Sequence, residues 1–188
     1  MSVGSYQFSD MGVEESAENH FVTTLEISQE MKDLIAEVIA ANSDVRFEVN
    51  EKSLTYEPKG QEIEVAMIRF LIDNEIPAYD MLKVRNLYAR KIHNFPYSTK
   101  EPIMVVVREV ASSPDLVRVY VKGAPEIVLK HCDRYYSNQF TLEDLNENEK
   151  SNILDNHIVD MAQRAQKVIS YAYKEMSLED LDQMIKDF

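Results

Sequence analysis

Two runs of β-branched residues constrain this chain most: Ile103–Val110 and Leu116–Val121. Valine and isoleucine are stiff at χ1 and pack well on a pleated surface, so such runs favour strand over helix. Between them stands Ala111-Ser112-Ser113-Pro114-Asp115, five residues rich in turn formers. The pattern predicts an antiparallel hairpin closed by that turn.

Helical spacing dominates elsewhere. Ser28 is a natural N-cap, and Met31, Leu34, Ile35, Val38 and Ile39 follow on one face. They predict a helix over Gln29–Ala41, ended by Asn42-Ser43. Residues 44–58 alternate as two short strands turning at Glu51-Lys52, with a turn at Pro58-Lys59-Gly60. A helix is expected over Glu62–Asp73, broken by Pro77, then a shorter helical or mixed stretch over Tyr79–Tyr88. Lys91–Phe95 enters a strand. Pro125 suits the first turn of a helix running to Cys132. Thr141 is the expected N-cap of a short acidic helix, followed by a long helix over Ile153–Ala165, a strand over Val168–Tyr173 and an acidic helical tail over 177–188. Residues 1–24 read as an irregular or extended entry. The expectation is one α+β domain over 1–188, an antiparallel sheet flanked by helices.

At 188 residues the chain can bury roughly 70% of its unfolded surface without a disulfide or metal staple. Its 20 basic and 33 acidic residues leave a net charge of -13. Such a surface repels nucleic-acid backbones and anionic lipid, so neither is an expected partner. A small anion needs a local pocket built from a few lysines. Cys132 is the single cysteine, which rules out an intramolecular disulfide and suits a reducing compartment and a buried position. No signal peptide or spanning apolar run of ~20 residues is recognisable, so the chain reads as soluble by itself. His20, His93, His131 and His157 lack the spacing of zinc ligands, and no metal site is expected.

Lys122-Gly123 ends the second β-branched run and sets an ammonium beside a backbone with no side chain in the way. Phe95 and Lys100, five residues apart, can supply a stacking face and a phosphate partner. Glu64 can accept from an adenine amino group, and Lys167 precedes a strand. Read singly, each fits an ordinary structural place as well: a core ring at Phe95, solvated side chains at Glu64, Lys100, Lys122 and Lys167.

In order, four segments resemble the nucleotide-binding domain of P-type ATPases. Gly60-Gln-Glu-Ile-Glu-Val-Ala-Met67 is similar to Gly-x-x-Thr-Glu-x-Ala-Leu, with Ile63 in place of the threonine. Phe95–Met104 is similar to Phe-x-Ser-x-x-Lys-x-Met, with the serine one position late at Ser98 and the methionine later than usual. Lys122-Gly-Ala-Pro-Glu126 matches Lys-Gly-Ala-Pro/Ser-Glu. Ala165–Glu175 is similar to Gly-Leu-Arg-x-x-x-x-Ala-Tyr-Arg-Asp, with Lys167 for the arginine. The resemblance spans 30–176. It implies ATP as ligand (Mg-ATP in the parent enzyme). It assigns the adenine contact to Glu64, stacking to Phe95, a nucleotide contact to Lys100, the pocket lining to Lys122, its floor to Gly123 and a phosphate contact to Lys167.

The family's Asp-Lys-Thr-Gly-Thr, Thr-Gly-Asp and Gly-Asp-Gly motifs are missing from the sequence. The resemblance therefore implies an excised cytosolic domain of an integral membrane pump, with the phosphorylation and actuator domains of the parent as partners. It binds ATP, carries no catalytic residue and does not touch the membrane. The segments are most similar to the calcium-pump branch; the polyamine-transporting and orphan branch is the alternative. An alternative of another class is a protein-interaction module that takes no nucleotide.

Overall fold

The computed structural model describes residues 2–4, by their main chain, and 28–52, 54–78, 90–137 and 139–186. In chain order the elements are β1 (Ser2–Gly4), α1 (Gln29–Ala41), β2 (Arg46–Asn50), β3 (Thr55–Lys59), α2 (Glu62–Asp73), β4 (Lys91–Phe95), β5 (Ile103–Val110), β6 (Ser113–Gly123), α3 (Pro125–Lys130), β7 (Arg134–Tyr136), β8 (Leu142–Asp144), α4 (Glu147–Ile153), a π turn (Leu154–Ile158), α5 (Val159–Gln163), β9 (Ser170–Ser177) and α6 (Leu178–Lys186). The class is the expected α+β.

The β-branched hairpin, β5 with β6, sits inside a sheet of order β4-β5-β6-β9-β1-β7-β8. Every pairing is antiparallel except β1 with β7. The hairpin β2–β3 forms a separate small sheet. Directly paired residues share a face, so register divides the large sheet into two surfaces. Val107 opposite Val119 and Val105 opposite Val121 look one way. With Val117 and Ala172 they pack on Val128, Leu129, Leu145, Ile153 and Leu181. Tyr120 opposite Tyr173 and Lys122 opposite Tyr171 look the other way, toward α1 and α2. There Val38 and Ala41 meet Tyr120, while Ala36, Ile39, Ile68 and Leu71 form a second cluster. Each buried aliphatic side chain contributes about 1.5–3 kcal/mol.

α1 begins as its sequence indicates, with the Ser28 hydroxyl accepting from the Met31 N–H at 3.3 Å. It ends against the sheet, where buried Arg108 donates Nε–H to the Ala41 carbonyl at 3.1 Å. At mid-helix, Glu37 accepts from Arg118 and from the Tyr120 hydroxyl at 2.5 Å. The helix is thus fastened to β5 and β6 through its C-terminal half.

Several boundaries differ from expectation for identifiable reasons. The central turn is shorter, because β6 starts at Ser113 and a register shift near Val110 absorbs the extra residues, Pro114 among them. Pro58 lies within β3 opposite Phe47; β3 has a partner on one side only, so the missing N–H costs nothing. Thr141 caps no helix. Leu142–Asp144 is drawn into pairing with β7, and Asn146 caps α4 instead, accepting from the Glu149 N–H at 3.0 Å. The long helix forms but contains the π turn, α3 stops at Lys130, and β9 begins later and runs on to Ser177. Apart from β1, the expected entry over 1–24 lies outside the described residues, as do Tyr79–Tyr88 and His20.

Cys132 is buried, its thiol donating to the Val128 carbonyl at 3.0 Å. Burial pushes this thiol up to about 12. Burial and then the Glu37 charge raise Tyr120, and burial and then the Glu64 charge raise Tyr171. The folded chain therefore keeps protons that the unfolded chain releases above about pH 9. The contribution of these three groups to stability is constant below that pH and falls as pH climbs toward 12. Urea midpoints at about pH 8 and about pH 10.5 check this: the second is expected to be lower, and equal midpoints would contradict it.

Candidate nucleotide-binding site

Strand registry gathers the candidate residues at one end of the sheet. Phe95 is the last residue of β4 and pairs with Val105; Ile103, the first of β5, pairs with Gly123, the last of β6; Gly123 pairs in turn with Ser170, the first of β9. Lys100 lies in the β4–β5 connection and Lys167 three residues before β9. All of these meet the same sheet end.

Lys122 and Glu64 are in direct contact. Lys122 Nζ donates to Glu64 Oε1 and to the main-chain carbonyl of Asn42 at 2.6 Å. Glu64 Oε2 accepts from the Asp44 N–H at 3.1 Å. The side chains are 8% and 13% exposed for Glu64 and Lys122 respectively. Both charges sit at favourable helix ends. Glu64 is in the first turn of α2, where unpaired N–H groups leave partial positive charge. Asn42 is the C-cap of α1, where carbonyls leave partial negative charge, and Lys122 bonds to it. Each such placement is worth about 0.3–1 kcal/mol.

Phe95 is 42% exposed and stacks with His93 of its own strand, centroids 6.0 Å apart and planes 26° from parallel. Its face is not that of Lys122. Phe95 pairs with Val105, whereas Lys122 pairs with Met104, one step along β5. Successive strand residues point to opposite faces. A ligand that touches both must lie across the open sheet end, where Lys100 and the 61%-exposed ring of Tyr97 also stand. Tyr97 was not among the expected residues; its sequence signal is a second ring two positions after Phe95.

Gly123 is required by packing. A Cβ there would lie 2.3 Å from the Pro102 carbonyl oxygen and 2.7 Å from Ile103 Cα. Only a bare α-carbon lets the ends of β5 and β6 close, and the Ala124 N–H then reaches the Pro102 carbonyl at 2.9 Å. Lys167 is exposed just past a Schellman cap. The Gln166 N–H bonds to the Met161 carbonyl and the Ala165 N–H to the Ala162 carbonyl, both at 3.0 Å. Ala165 takes φ 58 to do so, the left-handed conformation that glycine adopts without strain.

On the outward face of α2 is an open groove of about 580 Å³ lined by Pro58, Lys59, Val65, Arg69, Phe70 and Asn74. Glu64 points away from it, sharing the buried side of α2 with Ile68 and Leu71. Among the described residues no group of three His, Cys, Asp or Glu could hold a metal ion, and no helix is long and apolar enough to cross a membrane.

Breaking a buried pair strands a charge, at a cost of about 3 kcal/mol. Lys122→Met should therefore destabilise the fold by roughly that amount, and the double variant with Glu64→Gln by less than the sum of the singles. Phe95→Ala, at an exposed site, should cost under about 1 kcal/mol. Urea denaturation measures all three; Lys122→Met costing no more than Phe95→Ala would contradict the pairing.

The profile of the family described as "P-type ATPase, cytoplasmic domain N" matches residues 30–187. A protein of Plasmodium falciparum called calcium-transporting ATPase is 32% identical over 109 residues, covering 58% of this chain and 8% of its own. Proteins called calcium-transporting ATPase 2 from Saccharomyces cerevisiae and Cryptococcus neoformans are 27% identical over 111 residues and 32% over 110. Each match covers 57% of this chain, and 9% and 7% of the relatives. The chain thus spans less than a tenth of the length of the relatives it matches. With 158 of its 188 residues inside the family profile, the chain belongs to the P-type ATPase cytoplasmic N-domain family.

Proposed function

We propose that this domain binds ATP by its adenine end and presents the γ-phosphate to an aspartate on a separate domain of a cation pump. In that parent it is a cytosolic domain of an integral membrane protein. The phosphorylation and actuator domains are its partners, and calcium is the transported ion, by likeness to relatives so named. The isolated chain binds without hydrolysing, and its role in the pump's catalysis is positioning.

What supports the reading is one observation: the Lys122–Glu64 pair, a ring and two further lysines stand at a single sheet end of an otherwise acidic domain. The chemistry fits a nucleotide. Each Glu64 oxygen keeps a lone pair beyond the bond it accepts, so the carboxylate can take an exocyclic amine. Lys122 keeps a third donor. The Phe95 ring offers a stacking face worth about 1–3 kcal/mol. Lys100 and Lys167 are exposed on either side of that end and offset phosphate charge. Against roughly 4 kcal/mol or more of lost freedom, these contacts leave weak binding, with a Kd on the order of 0.1 to several mM. Magnesium changes it little, since the adenine end supplies most contacts.

Backbone NMR during an ATP titration tests this. Shifts should cluster at Glu64, Phe95, Lys100 and Lys122, and Phe95→Ala should abolish them. A folded wild type showing no shifts at about 10 mM ATP would favour a protein-interaction module instead.

A further inference from the structure

We propose that Ser43 is a positioning residue for the nucleotide site, acting through the main chain that follows α1. The proposal rests on the nucleotide reading above for its effect on binding, though not for its effect on the ion pair. The turn Asn42-Ser43-Asp44-Val45 supplies both main-chain groups that hold the pair: the Asn42 carbonyl on Lys122 and the Asp44 N–H on Glu64. Those groups lie on either side of Ser43. The shape of the turn therefore sets how far apart the two charged side chains are held.

The Ser43 hydroxyl fixes that shape. Its Oγ accepts from the Val45 N–H at 3.1 Å, closing a serine turn, and the Ser43 N–H reaches the Ala40 carbonyl at 3.4 Å. Asn42, Ser43 and Val45 are all buried. Asp44 alone of the four is exposed, so water is kept from the Ser43 hydroxyl and nothing replaces it if it is removed. Asn42 contributes its carbonyl to the site; its side-chain Oδ1 has no hydrogen-bond partner. Asp44 adds an outer tether, its carboxylate 3.0 Å from Lys91 Nζ on β4, the strand that ends at Phe95. From inside, Arg108 holds the adjacent Ala41 carbonyl. This short stretch thus ties together the start of α2, the start of β4, the middle of β5 and the end of β6.

Ser43→Ala and Ser43→Thr separate this role from simple stability, because threonine keeps the hydroxyl. The readouts are the Lys122 ammonium signal in ¹H–¹⁵N spectra of the free domain and the Kd for ATP. Ser43→Ala should broaden or shift the ammonium signal and raise Kd at least about threefold, and Ser43→Thr should restore both. Val119→Ala, a core truncation on the opposite sheet face, serves as the destabilised control and should leave both readouts at wild-type values. If Ser43→Ala keeps the wild-type ammonium signal and Kd, the proposal is overturned. It is equally overturned if Val119→Ala perturbs them as strongly, since the effect is then loss of stability alone. An altered ammonium signal in Ser43→Ala, restored by threonine, in a domain whose wild type binds no ATP would support the positioning of the pair and count against the nucleotide reading.

Discussion

The Lys122–Glu64 ion pair is the interaction on which the rest of this end of the molecule depends. It joins the end of β6 to the first turn of α2, and through the Asn42 carbonyl it reaches the end of α1. Two helix ends of opposite polarity converge there, and each faces the charge it favours. A largely buried ion pair is costly to form and more costly to break on one side. Here main-chain groups share the load: one carbonyl on the ammonium and one N–H on the carboxylate. The same pair that steadies the fold presents an acceptor and a donor at the sheet end.

The two sheet faces divide the work. The valine-rich face, closed by α3, α4 and α6, holds the larger apolar cluster and supplies stability through burial. The face under α1 and α2 carries Arg108, Arg118, Tyr120, Lys122 and Tyr171, each committed to a neighbour of defined geometry or charge. Such a surface fixes where the helices sit along the strands, since a shift of α1 by one turn would strand Glu37, Ala41 and Asn42 at once. Gly123 completes the arrangement from below, by allowing β5 and β6 to close where a methyl group could not fit.

Much of this was legible in the sequence. The first β-branched run, the capped helix after Ser28 and the helix over Glu62–Asp73 formed at the predicted bounds, because local propensity and burial agree there, while the second run extends past both of its expected ends. The strands β7 and β8 were not foreseen: three residues each show no periodicity, and their pairing is a tertiary event. Thr141 and Asn146 were rival caps of similar chemistry, and strand pairing decided between them. At the site, the residue types were readable and their grouping at one sheet end follows from strand order. The contact between Glu64 and Lys122, 58 residues apart, was not. Nor was the turn that holds them, since main-chain carbonyls and N–H groups leave no trace in residue type. The opposed faces of Phe95 and Lys122 come from registry, which spacing along one strand cannot reveal.

A crystal structure of the domain grown with ATP tests the central claim most directly. The account predicts the adenine edge within hydrogen-bond reach of the Glu64–Lys122 pair, with the base at the sheet end where Phe95 stands. Adenine bound elsewhere, such as in the groove between Pro58 and Asn74, with the pair and its turn untouched, would contradict it.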